Sequence, residues 1–179
     1  LVKEWGGKEE SSLIGCKQKV PAPNAAQANA TMAHALDFDD VHEAAVMHPG
    51  IAAIPVVLAV GEARGNLSGK ELIAGTALGV DMMCRLALAT TPGKSPVDLG
   101  WHLTSLFGFM GAAATAARIM GLDEEKIVNA IGIGYHQCGG NGQCVKDGAL
   151  TKRLGPGFAV KGGITAALMA KVGVTGSKN

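Results

Sequence analysis

Apolar residues in this chain fall into long stretches dominated by Ala and Gly, and polar residues collect in the gaps between them. The spacing inside the stretches is helical and almost never alternating, which predicts helices with next to no sheet. Asn24 follows Pro23 and is suited to cap a helix over "AAQANATMAHAL". A polar loop closed by Pro49-Gly50 comes next. "IAAIPVVLAVGEARG" then reads as a helix in which Pro55 is tolerable only within the first turn. Ser68 and Glu71 form a capping box that opens a helix running to about Ala89. "TTPGKSPVDLG" reads as a loop, and "SLFGFMGAAATAARIM" as a helix ended by Gly121. Asp123 caps "LDEEKIVNAIGIGYHQ", whose first-turn acids suit the helix dipole. "GGNGQCVKDGALTKRLGPG" reads as a Gly-rich loop, and "FAVKGGITAALMAKVG" as the last helix.

The expected architecture is therefore all-α, with about six helices over residues 24–179 after an irregular lead-in, 1–23, that holds a short strand near 12–15. A chain of 179 residues supports one domain with a real core. Hydrophobic residues make up 47% and charged residues 17%, which excludes a disordered chain. With 26 Gly and only 4% aromatic residues, the helices must meet through small side chains that let backbones approach closely. No internal repeat is evident.

Charge and cysteine content narrow the function classes. The net charge is +1 and Lys and Arg are scattered, so no nucleic-acid partner is expected. Apolar stretches such as 106–117 fall short of membrane-spanning length, so no membrane partner is expected either. Four cysteines without a CxxC pair suggest free thiols in a reducing compartment, and no signal peptide is visible, so the expected location is cytoplasmic. The chain begins at Leu1 and reads as a piece of a longer protein.

The candidate chemistry lies in three polar islands at helix boundaries. The first, "HALDFDDVHEAAVMHPG", crowds His34, Asp37, Asp39, Asp40, His42, Glu43 and His48 into one stretch. The second is "GWHLTS", with His102 and Thr104, and the third is "GALTKRLGPG", with Lys152 and Arg153. Loops held on a rigid scaffold are where sites are usually built. Singly, each island has a plainer reading. The acids of the first could be a solvated face, His34 a satisfied core histidine, and Lys152-Arg153 a surface pair, with His136 capping carbonyls at a helix end. Metal spacing is poor: His42-Glu43 with His48 is not HExxH, and Cys138 and Cys144 have no partner pair. "DDVHE" resembles an acid-rich magnesium motif of all-helical synthases, but no second acidic motif follows. No metal and no cofactor are expected.

Taken together, "HALDFDDVHEAAVMHPG", "GWHLTSLFGFMGAAATAARIMGL" and "DGALTKRLGPGFA", in this order and separation, resemble the MmgE/PrpD family, which includes 2-methylcitrate dehydratase, cis-aconitate decarboxylase and iminodisuccinate epimerase. The resemblance implies a helical domain, here without the family's α/β lid, in a homodimer that uses no metal or organic cofactor. It implies that Asp37, His48, His102 and Lys152 are catalytic, with Thr104 and Arg153 binding substrate. Val41 stands where a threonine often sits in the family, so a hydroxyl for a substrate carboxylate is missing there.

The implied substrates are small di- and tricarboxylates, and the implied reaction is a lyase step, with dehydratase-like elimination of water through proton abstraction next to a carboxylate placed first. Decarboxylation and epimerisation are alternatives. Histidine suits the proton transfers, and Lys152 suits carboxylate binding or proton transfer. Asp37 would orient His48 or fix its loop, leaving Asp40, His42 and Glu43 solvated. The competing class is a non-catalytic helical dimerisation or scaffold module, with an all-helical magnesium enzyme third.

Overall fold

A computed structural model describes residues 1–90 and 98–178. Two two-residue strands, β1 (Ser11–Ser12) and β2 (Lys19–Val20), pair antiparallel in the lead-in. The helices are α1 (Ala22–Ala33), α2 (Gly50–Arg64), α3 (Gly69–Ala89), α4 (Leu103–Ile119), α5 (Glu124–His136), α6 (Gln143–Lys146) and α7 (Thr151–Lys171). The domain is all-α: six long helices and one four-residue turn of helix among the described residues. The capping box of Ser68 with Glu71 opens α3, and the Asp123 carboxylate accepts from Lys126 N–H at the start of α5, both as the sequence predicts. Gly121, with φ +73°, takes the left-handed conformation just beyond α4. The loop read over 90–100 lies mostly outside the described residues.

Four features differ from the sequence reading. First, α1 begins at Ala22, not after Asn24, because Pro23 fits the first turn, where its missing N–H has no partner to lose. Second, Pro55 lies in the second turn of α2, past the position thought tolerable. The one lost bond is outweighed by the burial of Val56, Val57, Ala59 and Val60 around it. Third, "TKRLGPG" is not loop: α7 starts at Thr151 and carries Pro156 inside it, so Lys152 and Arg153 sit on its first turn. Fourth, α3 has 21 residues and a mean hydropathy of 1.5 over an 18-residue window, which by length and composition is enough to cross a membrane. That overturns the reading that no apolar stretch reaches spanning length. One face of α3 buries Gly75, Gly79, Met83 and Ala87, while Ile73, Leu78 and Leu88 are exposed.

The core is built around α4, which buries 14 of its 17 residues and packs against α2, α3, α5 and α7. Its closest partner is α7, and the contact is made by residues with almost no side chain. Gly163 of α7 lies so close to Ala112 and Ala113 that an added Cβ would collide with the Ala112 methyl and come 2.7 Å from Ala113 N. At Gly108 an added Cβ would lie 2.9 Å from the Ala159 methyl. Real Cβ contacts are never so short, so these positions set the distance between the two helices.

This packing yields a stability test. Gly163→Ala gains helix propensity of about 1 kcal/mol at most but forces α7 off α4, an overpacking worth about 1–3 kcal/mol. The expected net loss lowers Tm by a few degrees in a thermal melt. Gly69→Ala, at the first position of α3 with nothing within 4 Å, should be neutral or slightly stabilising. Equal melting temperatures for the two variants would refute the close-packing account.

Candidate active site

The loop from α1 to α2 is held by its own polar groups. His34 ends α1, its backbone N–H still bonded to Ala30 O. Asp37 follows with φ +57°, a left-handed backbone that Asp tolerates better than most residues. His42 and Met47 form an isolated bridge, and the short turn Glu43–Ala45 between them is capped by His42 Nδ1, which accepts from Ala45 N–H at 3.2 Å. The Asp40 carboxylate accepts from Gly50 N–H at 2.8 Å, which puts a negative charge at the start of α2. Asp40, though exposed, is therefore a fixed structural group and not only a solvated one. His48 is oriented twice: its backbone N–H donates to Thr104 Oγ1 at 3.0 Å, and its Nδ1 lies 2.9 Å from Asp40 O. A carbonyl can only accept, so Nδ1 carries a hydrogen and donates it to Asp40 O.

The opposite wall comes from α4 and α7. His102 immediately precedes α4, and its backbone N–H donates to Gly140 O at 2.9 Å, tying the helix start to the loop after α5. Its Nδ1 lies 2.8 Å from Ser105 Oγ. Gly155 of α7 packs directly against Ser105, so no larger residue fits there. This approach delivers Lys152 and Arg153, one turn earlier on α7, to the same basin.

Seven side chains meet there. The His34 ring lies 5.0 Å from the His48 ring and 6.4 Å from the His102 ring, centroid to centroid. Lys152 Nζ is 3.0 Å from His34 Nε2 and donates a very short bond to Asp37 Oδ1. Arg153 Nη1 is 2.9 Å from Asp37 Oδ2. Asp39 Oδ2 is 2.8 Å from His34 Nδ1, and Asp39 Oδ1 is 3.6 Å from His48 Nδ1. A cleft of about 280 Å³ opens beside this cluster, lined by His102, Ser105 and Lys152 together with Gly140, Phe109 and Phe158.

The electrostatics follow from burial. The bond from Lys152, assisted by Arg153, holds Asp37 well below the usual carboxylate range against its partial desolvation. Desolvation, followed by the charge of Lys152, lowers His102 to about 4. Burial also lowers His34, although the Asp39 carboxylate beside it pulls the other way. His34 and His102 are thus neutral at pH 7.

The structure brings together Asp37, His48, His102, Lys152 and Arg153, which lie up to 116 positions apart in sequence. Thr104 is buried, and its hydroxyl is taken by His48 N–H, so it holds the loop instead of lining the cleft. Val41 is exposed. His136 is exposed on the last turn of α5 and caps no carbonyl; Gln137 does so instead, donating to Ile133 O and Gly162 O. Sequence reasoning passed over His34 and Asp39. His34 was read as a core histidine, and it is fully buried, but it is buried against Asp39 and Lys152. The signal available was the crowding itself: three histidines within fifteen positions.

His34, Asp37, Asp39 and His48 also bring one ligand atom each to within 4.8 Å of one another, a grouping of the kind that can hold a metal ion. Spacing along the chain did not reveal it. The Lys152 ammonium is bonded to two of the four, His34 and Asp37, so these ligands already serve a cation of the protein's own.

Comparison with known proteins gives a consistent picture. The model of the MmgE/PrpD N-terminal domain matches residues 1–179. A cis-aconitate decarboxylase-like protein, oryM, of Aspergillus oryzae is 29% identical over 173 residues, covering 93% of this chain and 36% of its own length. Cis-aconitate decarboxylase of Aspergillus terreus is 28% identical over 170 residues, 93% of this chain and 34% of its own. The human cis-aconitate decarboxylase is 32% identical over 163 residues, 89% and 33% respectively. The chain thus spans about a third of the length of the curated relatives it matches.

The basin makes the fold acid-sensitive. A histidine lowered on folding binds fewer protons folded than unfolded, so stability is present above about pH 6.5 and is lost as pH falls toward 4. Asp37 acts in the same direction at lower pH, because its folded value is depressed. Melting temperature should therefore decline from pH 6.5 to 4, and His102→Gln should flatten part of that decline. An unchanged slope in His102→Gln would mean that His102 is not held neutral.

Proposed function

The chain belongs to the MmgE/PrpD family, and on that premise we propose that it forms part of a lyase that acts on a small di- or tricarboxylate at a carbon next to a carboxylate. One observation carries the reading: the His102 imidazole and the Lys152 ammonium line one cleft, with the Asp37 carboxylate bound to both Lys152 and Arg153 beside it. In the tautomer that donates Nδ1–H to Ser105 Oγ, His102 presents the Nε2 lone pair and is suited to remove a proton from carbon. Lys152 has three N–H bonds. Two are taken by His34 and Asp37, and the third is left for a substrate carboxylate or a proton transfer. Its positive charge stabilises electron density that develops beside the carboxylate.

Two lyase steps fit. In elimination, His102 takes the proton from carbon, the C–H electron pair becomes the double bond, and the hydroxyl leaves as water with a proton from Lys152. The neutral state of His102 favours this step. In decarboxylation, the C–C pair stays on carbon as carbon dioxide departs, and that carbon receives the proton from Lys152. The activity named for the relatives favours this second step.

Kinetics of the natural full-length polypeptide with cis-aconitate and with 2-methylcitrate, run in deuterium oxide, test both. Decarboxylation releases carbon dioxide and leaves one solvent deuterium in the product. Elimination releases none, and the hydrogen of the reacting carbon is lost to solvent with no deuterium taken up in its place. Under elimination, His102→Gln should lower kcat by about 10²–10⁴. Under decarboxylation, Lys152→Met should lose more than His102→Gln. Glu43→Gln, exposed on the outer loop, should change little under either. Full activity in both His102→Gln and Lys152→Met would overturn the proposal.

A further inference from the structure

We infer that the buried His34 and the half-buried Asp39 form a positioning dyad that aims Lys152 into the cleft. The catalytic consequence rests on the function proposed above, but the geometry does not.

His34 is fully buried at the end of α1, and both of its ring nitrogens are engaged. Nδ1 faces the Asp39 carboxylate at 2.8 Å, and Nε2 faces Lys152 Nζ at 3.0 Å. An ammonium has no lone pair, so in the bond to Lys152 the imidazole must be the acceptor. Nε2 is therefore unprotonated, and the ring hydrogen sits on Nδ1, donated to Asp39. Only this tautomer satisfies both contacts. Asp39 selects it, as an acidic partner fixes the tautomer of a catalytic or metal-bound imidazole elsewhere. Without Asp39, the ring could place its hydrogen on Nε2 and turn a donor against a donor.

The consequence falls on Lys152. Its side chain is long and unbranched, and such a chain has many rotamers to lose on ordering. Held by Asp37 alone, Nζ could swing about one contact. Held by Asp37 from the loop and by His34 from α1, it has two fixed bonds, and the third N–H direction is set. The remaining groups that face this pair are His48, His102 and Arg153. Arg153 engages the other oxygen of Asp37, and neither of the other two rings bonds to Lys152. His34 does not itself line the cleft, and its one contact with the lining described above is Lys152, so it acts through Lys152 and not on a ligand.

The test is nuclear magnetic resonance of the chain labelled with ¹⁵N in histidine and lysine, at pH 7. In the unmodified protein, His34 should give the neutral Nδ1–H pattern, and the Lys152 ammonium protons should exchange slowly enough to be seen. His34→Gln places an amide oxygen near the position of Nε2 and should preserve the slow exchange. His34→Leu should abolish it. In turnover by the natural full-length polypeptide, His34→Gln should stay within about threefold of wild type, while His34→Leu should lose tenfold or more. An Nε2–H or doubly protonated His34 in the unmodified protein overturns the dyad, and that spectrum needs no variant to fold. Equal Lys152 exchange in His34→Leu overturns it as well. If the spectra come out as expected and no polycarboxylate is turned over, the dyad stands and the lyase reading falls.

Discussion

The distance between α4 and α7 is the constraint on which the site depends. His102 begins one of these helices and Lys152 begins the other. Their side chains line one cleft only because small residues make the contact from Gly155 against Ser105 to Gly163 against Ala112. Close backbone approach forgoes large apolar side chains, and with them much buried area per residue. It gains dense packing between rigid rods, and interiors packed to crystal density transmit small displacements with little give. A site that depends on bonds of about 3 Å between groups on different helices needs that stiffness. The scarcity of aromatic residues is thus part of how the site is held, and it explains why the Ala/Gly stretches and the polar islands alternate along the chain.

Within the basin, each carboxylate has a fixed partner. Asp37 faces Lys152 and Arg153, Asp39 faces His34, and Asp40 is spent on the start of α2. Burial keeps His34 and His102 neutral, so Lys152 and Arg153 are not opposed by imidazolium charge. An anionic ligand entering the cleft meets donors whose orientation is already fixed, and little reorganisation is left to be done on binding. The order of the effects matters. Desolvation leads for both histidines, and the neighbouring charges adjust it.

Much of the fold was legible in the sequence because helix ends carry explicit chemistry. The capping box at Ser68 and the cap at Asp123 were readable as side chains that satisfy free N–H groups. Proline inside a helix was misread at Pro55 and Pro156, because burial by neighbouring helices outweighs one missing bond and that burial is invisible locally. The site was partly legible as well. Asp37, His48, His102, Lys152 and Arg153 were identifiable from motif order, and they converge. His34 and Asp39 were not, because a loop has no period from which to infer which of Asp37, Asp39 and Asp40 turns inward. That is decided by the left-handed backbone at Asp37, a tertiary fact. The metal-like grouping of four ligands escaped for the same reason: its members lie at irregular separations.

The backbone of the loop shows what holds this wall in place. Asp37 and Val46 are both left-handed, with φ of +57° and +49°. For a residue other than glycine this costs about 1–2 kcal/mol, and a β-branched side chain fares worst. The two positions offset the strain differently. Asp37 has its carboxylate clamped by Lys152 and Arg153, so the strained residue is itself the tie between loop and α7. Val46 has an exposed side chain and no such tie, but it sits between Ala45 and Met47, both buried, and inside the bridge that joins His42 to Met47. Burial of the residues on either side forces the turn at Val46, and the turn sets the direction in which the chain arrives at His48. The imidazole of His48 is then fixed by Asp40 O in the loop, and its backbone N–H by the Thr104 hydroxyl of α4. The strained residues are thus the points at which the core of the domain dictates the position of the basin wall, and a relaxed backbone at either would leave His48 aimed by its hydrogen bonds alone.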